Sequence, residues 1–186
     1  MFVFQFDANV CLLCNPWRLE DTFGSLSSDQ IGEYVLNDHG RVYLSSSAVP
    51  RSIPWYLGQF ERAVLSAALI LLDRSLSVVD NQLDPCIILR HLAASIRSDA
   101  EGNNGIFPMF FSDTSDTSSP AILDQYLQFN GKHSRTGSDG LQWQYVAVLC
   151  SLCRSLGIPC RMVTVYNPVG GTGTAELKLI RSVRLR

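Results

Sequence analysis

The sequence predicts an α+β domain in which helices pack on one side of an antiparallel sheet. Three observations lead there. The opening segment FVFQF alternates apolar and polar residues, the period of a strand. A succession of segments with helical periodicity follows. The last of these runs directly into CRMVTVYN, a glycine-rich turn PVGGTG, and AELKLIRSVRLR, which together read as a strand hairpin. The chain has 186 residues, 46% hydrophobic and 17% charged. That is enough for one domain with a real core, and too apolar for a disordered chain. A net charge of -2 gives no reason to expect nucleic acid or an anionic membrane as a general partner. No apolar run approaches the ~18 residues of a membrane span. The first ten residues, MFVFQFDANV, lack a basic start and a small-residue cleavage site, so they read as a strand and not as a leader.

Each element has a local justification. NPW at 15–17 breaks the first strand. Ser27 and Gln30 have the spacing of a capping box, and Ile31, Tyr34 and Val35 share a helical face behind it. Asn37 to Gly40 read as a turn, RVYLS as a short strand, and AVPRSIPW as an extended, proline-set connector. In GQFERAVLSAALILLDRS, the residues Phe60, Val64, Leu65, Ala68, Leu71 and Leu72 recur at helical spacing. Asp84-Pro85 is a cap followed by proline in the first turn, and Ile88, Leu89, Leu92 and Ile96 form the buried face of the helix it starts. FSDTSDTSSP is polar and loop-like; Ser119-Pro120 then restarts a helix bearing Ile122, Leu123, Tyr126 and Leu127. FNGKHSRTGSDG is a second loop. The last helix carries Val146, Leu149, Cys150, Cys153 and Leu156 on one face; Gly157 suits its C-terminal cap, and Pro159 cannot continue it.

The cysteines stand at 11, 14, 86, 150, 153 and 160, mostly inside apolar segments. They read as core thiols in a reducing compartment, which points to the cytoplasm. CLLC at 11–14 and CSLC at 150–153 form two CxxC pairs, so a zinc-binding module is an alternative. Against it, residues three apart on a strand point to opposite faces, and the second pair lies on a helix face the core needs. His39 and His133 sit in turns and His91 on a helix, none with a cysteine or carboxylate partner evident nearby. PVGGTGT lacks the lysine and the strand-to-helix context of a phosphate loop. DAEGNNG and SDTSD are rich in oxygen ligands but follow no calcium-loop pattern. Lys178, Arg181, Arg184 and Arg186 alternate with apolar residues as the wet face of an edge strand, with a basic docking tail as the other reading.

Three segments, in order, carry a resemblance. They are NPW with EYVLNDHGRVY, then IPWYLGQFERAVLSAALILLDRS, then GLQWQYVAVLCSLCRSLGIPCRMVTVYN. Together they resemble the transglutaminase family, whose patterns include W-x-x-GQFE-x-x-(V/I)-L and GQCW-V-F-A-A-V-x-C-x-x-x-R-x-LGIP-x-R-x-VT-x-x-N. The resemblance implies a papain-like α+β core. It implies residues 1–14 as the end of a preceding β-sandwich and residues 15–186 as a partial catalytic core, incomplete at its C-terminus. It also implies protein-glutamine γ-glutamyl transfer. In the family a cysteine at the start of the buried helix attacks a glutamine carboxamide of a protein substrate. The thioester passes to a lysine amine, ammonia leaves, and isopeptide cross-links form. Calcium commonly activates vertebrate members.

The departures from the family pattern matter most at the nucleophile. Gly140 aligns with the family glycine and Trp143 with the tryptophan after the cysteine, but Leu141 replaces glutamine and Gln142 replaces the cysteine itself. A carboxamide is not a nucleophile, whereas a thiolate at a helix N-terminus is a good one. The region before Ala121 has no tryptophan to support an oxyanion, although Phe110 or Phe111 has similar volume. NPVGG stands where the family has N-S-A-H-D, and the family's histidine, aspartate and most core calcium ligands lie past Arg186. The expectation is therefore a catalytically inactive core with a structural or binding role. The alternative is a fragment, or a misread gene, of an active calcium-dependent enzyme.

Overall fold

A computed structural model describes residues 14–17, 26–43, 52–75, 85–96, 106, 118–128 and 142–164. The elements in chain order are α1 (Ser28–Ile31), a π-helical turn (Gly32–Leu36), β1 (His39–Tyr43), β2 (Ser52–Tyr56), α2 (Arg62–Ser75), α3 (Pro85–Ile96), α4 (Ser119–Gln128) and α5 (Gln142–Ser155). The expected segment at 1–10, the loops at 112–117 and 129–139, and the hairpin beyond 164 lie outside the described residues.

The capping box at Ser27 forms as its spacing predicts. Ser27 Oγ accepts the Gln30 N–H at 3.2 Å, and Gln30 Oε1 accepts the Ser27 N–H at 3.0 Å. The helix then widens into the π turn, closed by the Asn37 N–H donating to the Gly32 carbonyl at 2.9 Å. NPW also holds its turn, with the Trp17 N–H donating to Asn15 Oδ1.

The sheet differs from the expectation. His39 and Gly40 belong to β1 and not to a turn, and the supposed connector supplies β2, with Gly40 opposite Trp55 and Val42 opposite Ile53. Pro54 does not prevent this, because among the described residues the sheet has two strands, both of them edges, where proline is tolerated. After β2 the chain turns at Gly58, whose φ is +55° and where a Cβ would collide with the Pro120 ring. A β-branched or bulky residue is excluded on both counts.

That turn also explains why Phe60 leaves the predicted buried face. α2 starts only at Arg62, so the helical period does not reach back to Phe60, which is 69% exposed, while Gln59 is buried instead. Val64, Ala67, Ala68 and Leu71 carry the inner face. α2 packs on α3, α4 and α5. α3 contributes Ile88, Leu92 and Ile96, with Pro85 as its first residue as predicted. α4 contributes Ile122, Leu123 and Tyr126. One apolar cluster runs through all these helices and takes in Val42, Trp55 and Leu57 from the sheet side. Among the described residues no helix is long and apolar enough to cross a membrane.

α5 ends in a Schellman motif. Gly157 has φ +78°, its N–H donates to the Arg154 carbonyl at 3.0 Å, and the Ile158 N–H donates to the Cys153 carbonyl at 2.9 Å. Cys14 crosses this corner, donating its N–H to the Leu156 carbonyl at 3.0 Å. Residues 160–164 are the described part of the strand expected over 160–167, and among the described residues they form no ladder. A strand needs a partner for its backbone groups, and the second arm of the predicted hairpin lies outside the described residues. Cys160 instead donates its N–H to the Tyr34 carbonyl at 3.1 Å, and the Arg161 guanidinium lies 5.6 Å above the Tyr34 ring.

Gly157→Ala should lower stability by at least ~1–2 kcal/mol, the cost of a left-handed non-glycine residue, because its Cβ also meets the Cys14 carbonyl. A urea titration measures it, and an unchanged midpoint would refute the account of this corner.

Candidate functional site

α5 is the element that the sequence singles out, and its burial is nearly complete. From Trp143 to Ser155 no side chain is exposed. The apolar stripe predicted from periodicity is there in Cys150, Cys153 and Leu156, but Ala147, Val148 and Leu152 are buried as well. So are three polar residues, Gln144, Ser151 and Arg154. A helix buried all round must find partners for such groups, since an unpaired buried polar atom is costly.

Gln142 is the first residue of α5 and Trp143 the second. Gly140 and Leu141 lie outside the described residues. Trp143 meets Trp55 edge to face, with ring centroids 5.4 Å apart and planes at 87°. That arrangement sets the positive edge of one ring against the negative face of the other. Behind this pair sits a buried polar chain that periodicity did not reveal. The Trp55 indole N–H donates to Ser119 Oγ at 2.9 Å, Ser119 and Ser151 share a hydrogen bond of 2.7 Å between hydroxyls, and Ser151 Oγ donates to the Ala147 carbonyl at 3.1 Å. One proton per donor satisfies the whole chain.

The far end of α5 is held by Arg154. Its Nε and Nη2 donate to the Cys160 carbonyl at 3.0 and 2.7 Å, and Nη1 donates to the Asn37 carbonyl. The Gln59 amide reaches the same place, donating Nε2 to the carbonyls of Val35 and Asn37 at 2.9 and 3.1 Å. So the glutamine of GQFE and the arginine before LGIP are both structural, and both bind the Asn37 carbonyl just after the π turn. Periodicity treats such residues as interruptions, yet a lone glutamine or arginine inside an apolar run is itself the signal.

Beside Arg154 lies a cleft of about 490 Å³ lined by His39, Arg41, Leu57, Arg154, Arg161 and Met162, among others. It is separated from Gln142 by the length of α5, roughly 18 Å at 1.5 Å per residue. It is therefore no part of the site at the helix start. His39 does have a carboxylate neighbour, contrary to expectation: its Nδ1 stands 2.6 Å from Asp38 Oδ1, and its ring lies 5.2 Å from that of Tyr56. With the two side chains 73% and 39% exposed, such a pair contributes little. His91 is half-buried on α3, and its carbonyl accepts the Ser95 hydroxyl. His133 lies outside the described residues.

The thiols on α5 do not replace a nucleophile at its start. Cys150 and Cys153 are buried. The hydrogen bond to Cys160, together with burial, holds the Cys150 thiol well above its ordinary range. For Cys160, the hydrogen bond from Cys150 pulls the thiol down, but its contact with Cys153 and its burial push it up further. Both are protonated at neutral pH, and the thiol form is a poor nucleophile. Among the described residues no group of three His, Cys, Asp or Glu side chains is placed to hold a metal ion. Cys11, half of the first CxxC pair, and the oxygen-rich loops lie outside them.

A family model described as the transglutaminase-like superfamily matches residues 111–178. The chain is 34% identical over 169 residues to protein-glutamine gamma-glutamyltransferase 5 of Homo sapiens, covering 84% of this chain and 23% of that protein. It is 32% identical over 174 residues to Protein 4.2 of Bos taurus, covering 87% and 24%. The crystal structure of red sea bream transglutaminase superposes with a TM-score of 0.67 at 30% identity, covering 79% of this chain and 24% of that one. The chain thus spans about a quarter of the length of these relatives.

Two substitutions test the interior of the site in opposite directions. Gln144 is 1% exposed, and its Nε2 meets no acceptor among the described residues. Replacing it with valine, the residue of the family pattern, should raise stability by roughly 1–3 kcal/mol, the cost of an unpaired buried donor. Ser119→Ala should lower stability by a similar ~1–3 kcal/mol, because it strands the Trp55 N–H. Chemical denaturation of both variants checks the pair; equal and small effects would remove the buried polar chain from the account.

Proposed function

Since the chain belongs to the transglutaminase family, we propose that it is a core of that family which has lost its acyl-transfer chemistry and serves a structural or protein-binding role. The observation that carries this reading is Gln142. It opens α5 and is followed by Trp143 packed on Trp55, in the place where the family pattern has its cysteine. The chemistry requires a group that can lose a proton and attack a carbonyl carbon with the resulting lone pair. The partial positive charge at a helix start lowers a thiol pKa and so activates a cysteine. It does nothing comparable for a carboxamide, which has no acidic proton to lose near neutral pH.

In this reading the partners are proteins of the class the family acts on, bearing glutamine or lysine side chains, met in the cytoplasm and without nucleic acid. Contact replaces cross-linking. The family's calcium response then has no turnover to control.

The test is incorporation of a labelled primary amine into a glutamine-rich protein, with and without calcium. The expected result is background in both. Incorporation that iodoacetamide abolishes would overturn the inactive reading.

A second reading takes the sequence as a piece, or a misread version, of a working enzyme. It is favoured by the match to about a quarter of each relative's length. Sequencing the transcript across codons 140–145 separates the two. A cysteine codon at 142 supports the second, and a glutamine codon the first.

A further inference from the structure

Cys150 and Cys160 are neighbours in space though ten residues apart. Their Sγ atoms lie 3.3 Å from each other. Each sulfur also faces the other residue's backbone: Cys160 Sγ lies 3.4 Å from the Cys150 carbonyl, and Cys150 Sγ lies 3.8 Å from the Cys160 carbonyl. The two sulfurs are therefore in direct contact, and bonding requires their closure to about 2.05 Å. Arg154 keeps the approach in place, since its guanidinium holds the Cys160 carbonyl with two hydrogen bonds.

We propose that Cys150 and Cys160 form a redox latch, an oxidisable dithiol that bonds α5 to its own exit segment. The oxidant class is a small-molecule disulfide such as oxidised glutathione. Cys160 is half-buried and Cys150 buried, so Cys160 meets the oxidant first. Its thiolate attacks one sulfur of the oxidant, whose other half leaves as a thiolate. Cys150, deprotonated in turn, attacks the Cys160 sulfur of the mixed disulfide and releases the second half. Two protein thiols lose two electrons and two protons, and the oxidant becomes two small thiols.

Both thiols are held in the protonated form near neutrality, Cys150 by its hydrogen bond to Cys160 and by burial, Cys160 because the opposing hydrogen bond from Cys150 is outweighed by its contact with Cys153 and by burial. Oxidation is therefore slow at pH 7 and gains roughly tenfold per pH unit while the thiolate fraction is small. The latch suits sustained oxidising conditions and is insensitive to brief ones. It is independent of the proposed loss of acyl transfer, because neither sulfur lies at the start of α5.

The test uses the full chain, folded, with oxidised glutathione at pH 7, 8 and 9, followed by alkylation, trypsin and mass spectrometry. Cleavage after Arg135, Arg154 and Arg161 places Cys150 in the peptide 136–154 and Cys160 in the peptide 155–161. Expected are a cross-link between these peptides, its retention in Cys153→Ser, its loss in Cys160→Ser, and a Tm raised by roughly 5–10 °C in the oxidised protein. In urea the preference for this pairing should vanish. Both thiols remaining alkylatable in the folded wild-type chain at pH 9 overturns the proposal. So does a cross-link that Cys153→Ser abolishes, since Cys153 would then be the true partner.

Discussion

The Ser119 hydroxyl accepts the Trp55 indole N–H and shares a short hydrogen bond with Ser151, so β2, α4 and α5 meet at one buried point. Helices and sheets can slide on apolar surfaces at modest cost, because dispersion is non-directional. A buried hydrogen-bond chain cannot slide, since every misregistered arrangement leaves a donor without an acceptor. This point fixes how Trp55 presents its ring to Trp143, and so it fixes the start of α5. Arg154 performs the complementary task at the other end, drawing the exit segment and the π turn to one guanidinium.

Much of this was legible in the sequence. The capping box, the start of α3 at Pro85, the faces of α3 and α4, and the glycine cap of α5 follow from local chemistry and appear as expected. Where the reading went astray, tertiary pairing decided. AVPRSIPW is connector-like by its prolines, yet Ser52–Tyr56 finds β1 and becomes a strand. Phe60 fits a helical period that the chain interrupts at Gly58. Gln59, Ser119, Ser151 and Arg154 are invisible to hydrophobic periodicity, because their roles depend on carbonyls and hydroxyls supplied by distant segments. The burial of α5 on every side also exceeds what one apolar stripe announces.

At the candidate site, packing and chemistry separate. Trp143, the α5 core face, the Gly157 corner and the Arg154 bonds all serve to seat a helix. None of them requires that the helix begin with a thiol. Each of these contacts is made by residues other than the first of α5.

The π turn at Gly32–Leu36 is also a matter of residue count. A π turn holds one residue more than an α turn at the same place. Delete a residue there, and the strand that follows would be re-aimed by roughly 100°, one residue's share of a helical circle. The carbonyls of Val35 and Asn37 would turn with it, away from Gln59 and Arg154. The surplus residue is thus a spacer of fixed size: it sets the angle at which two segments far apart in the chain arrive at one shared oxygen, the carbonyl of Asn37.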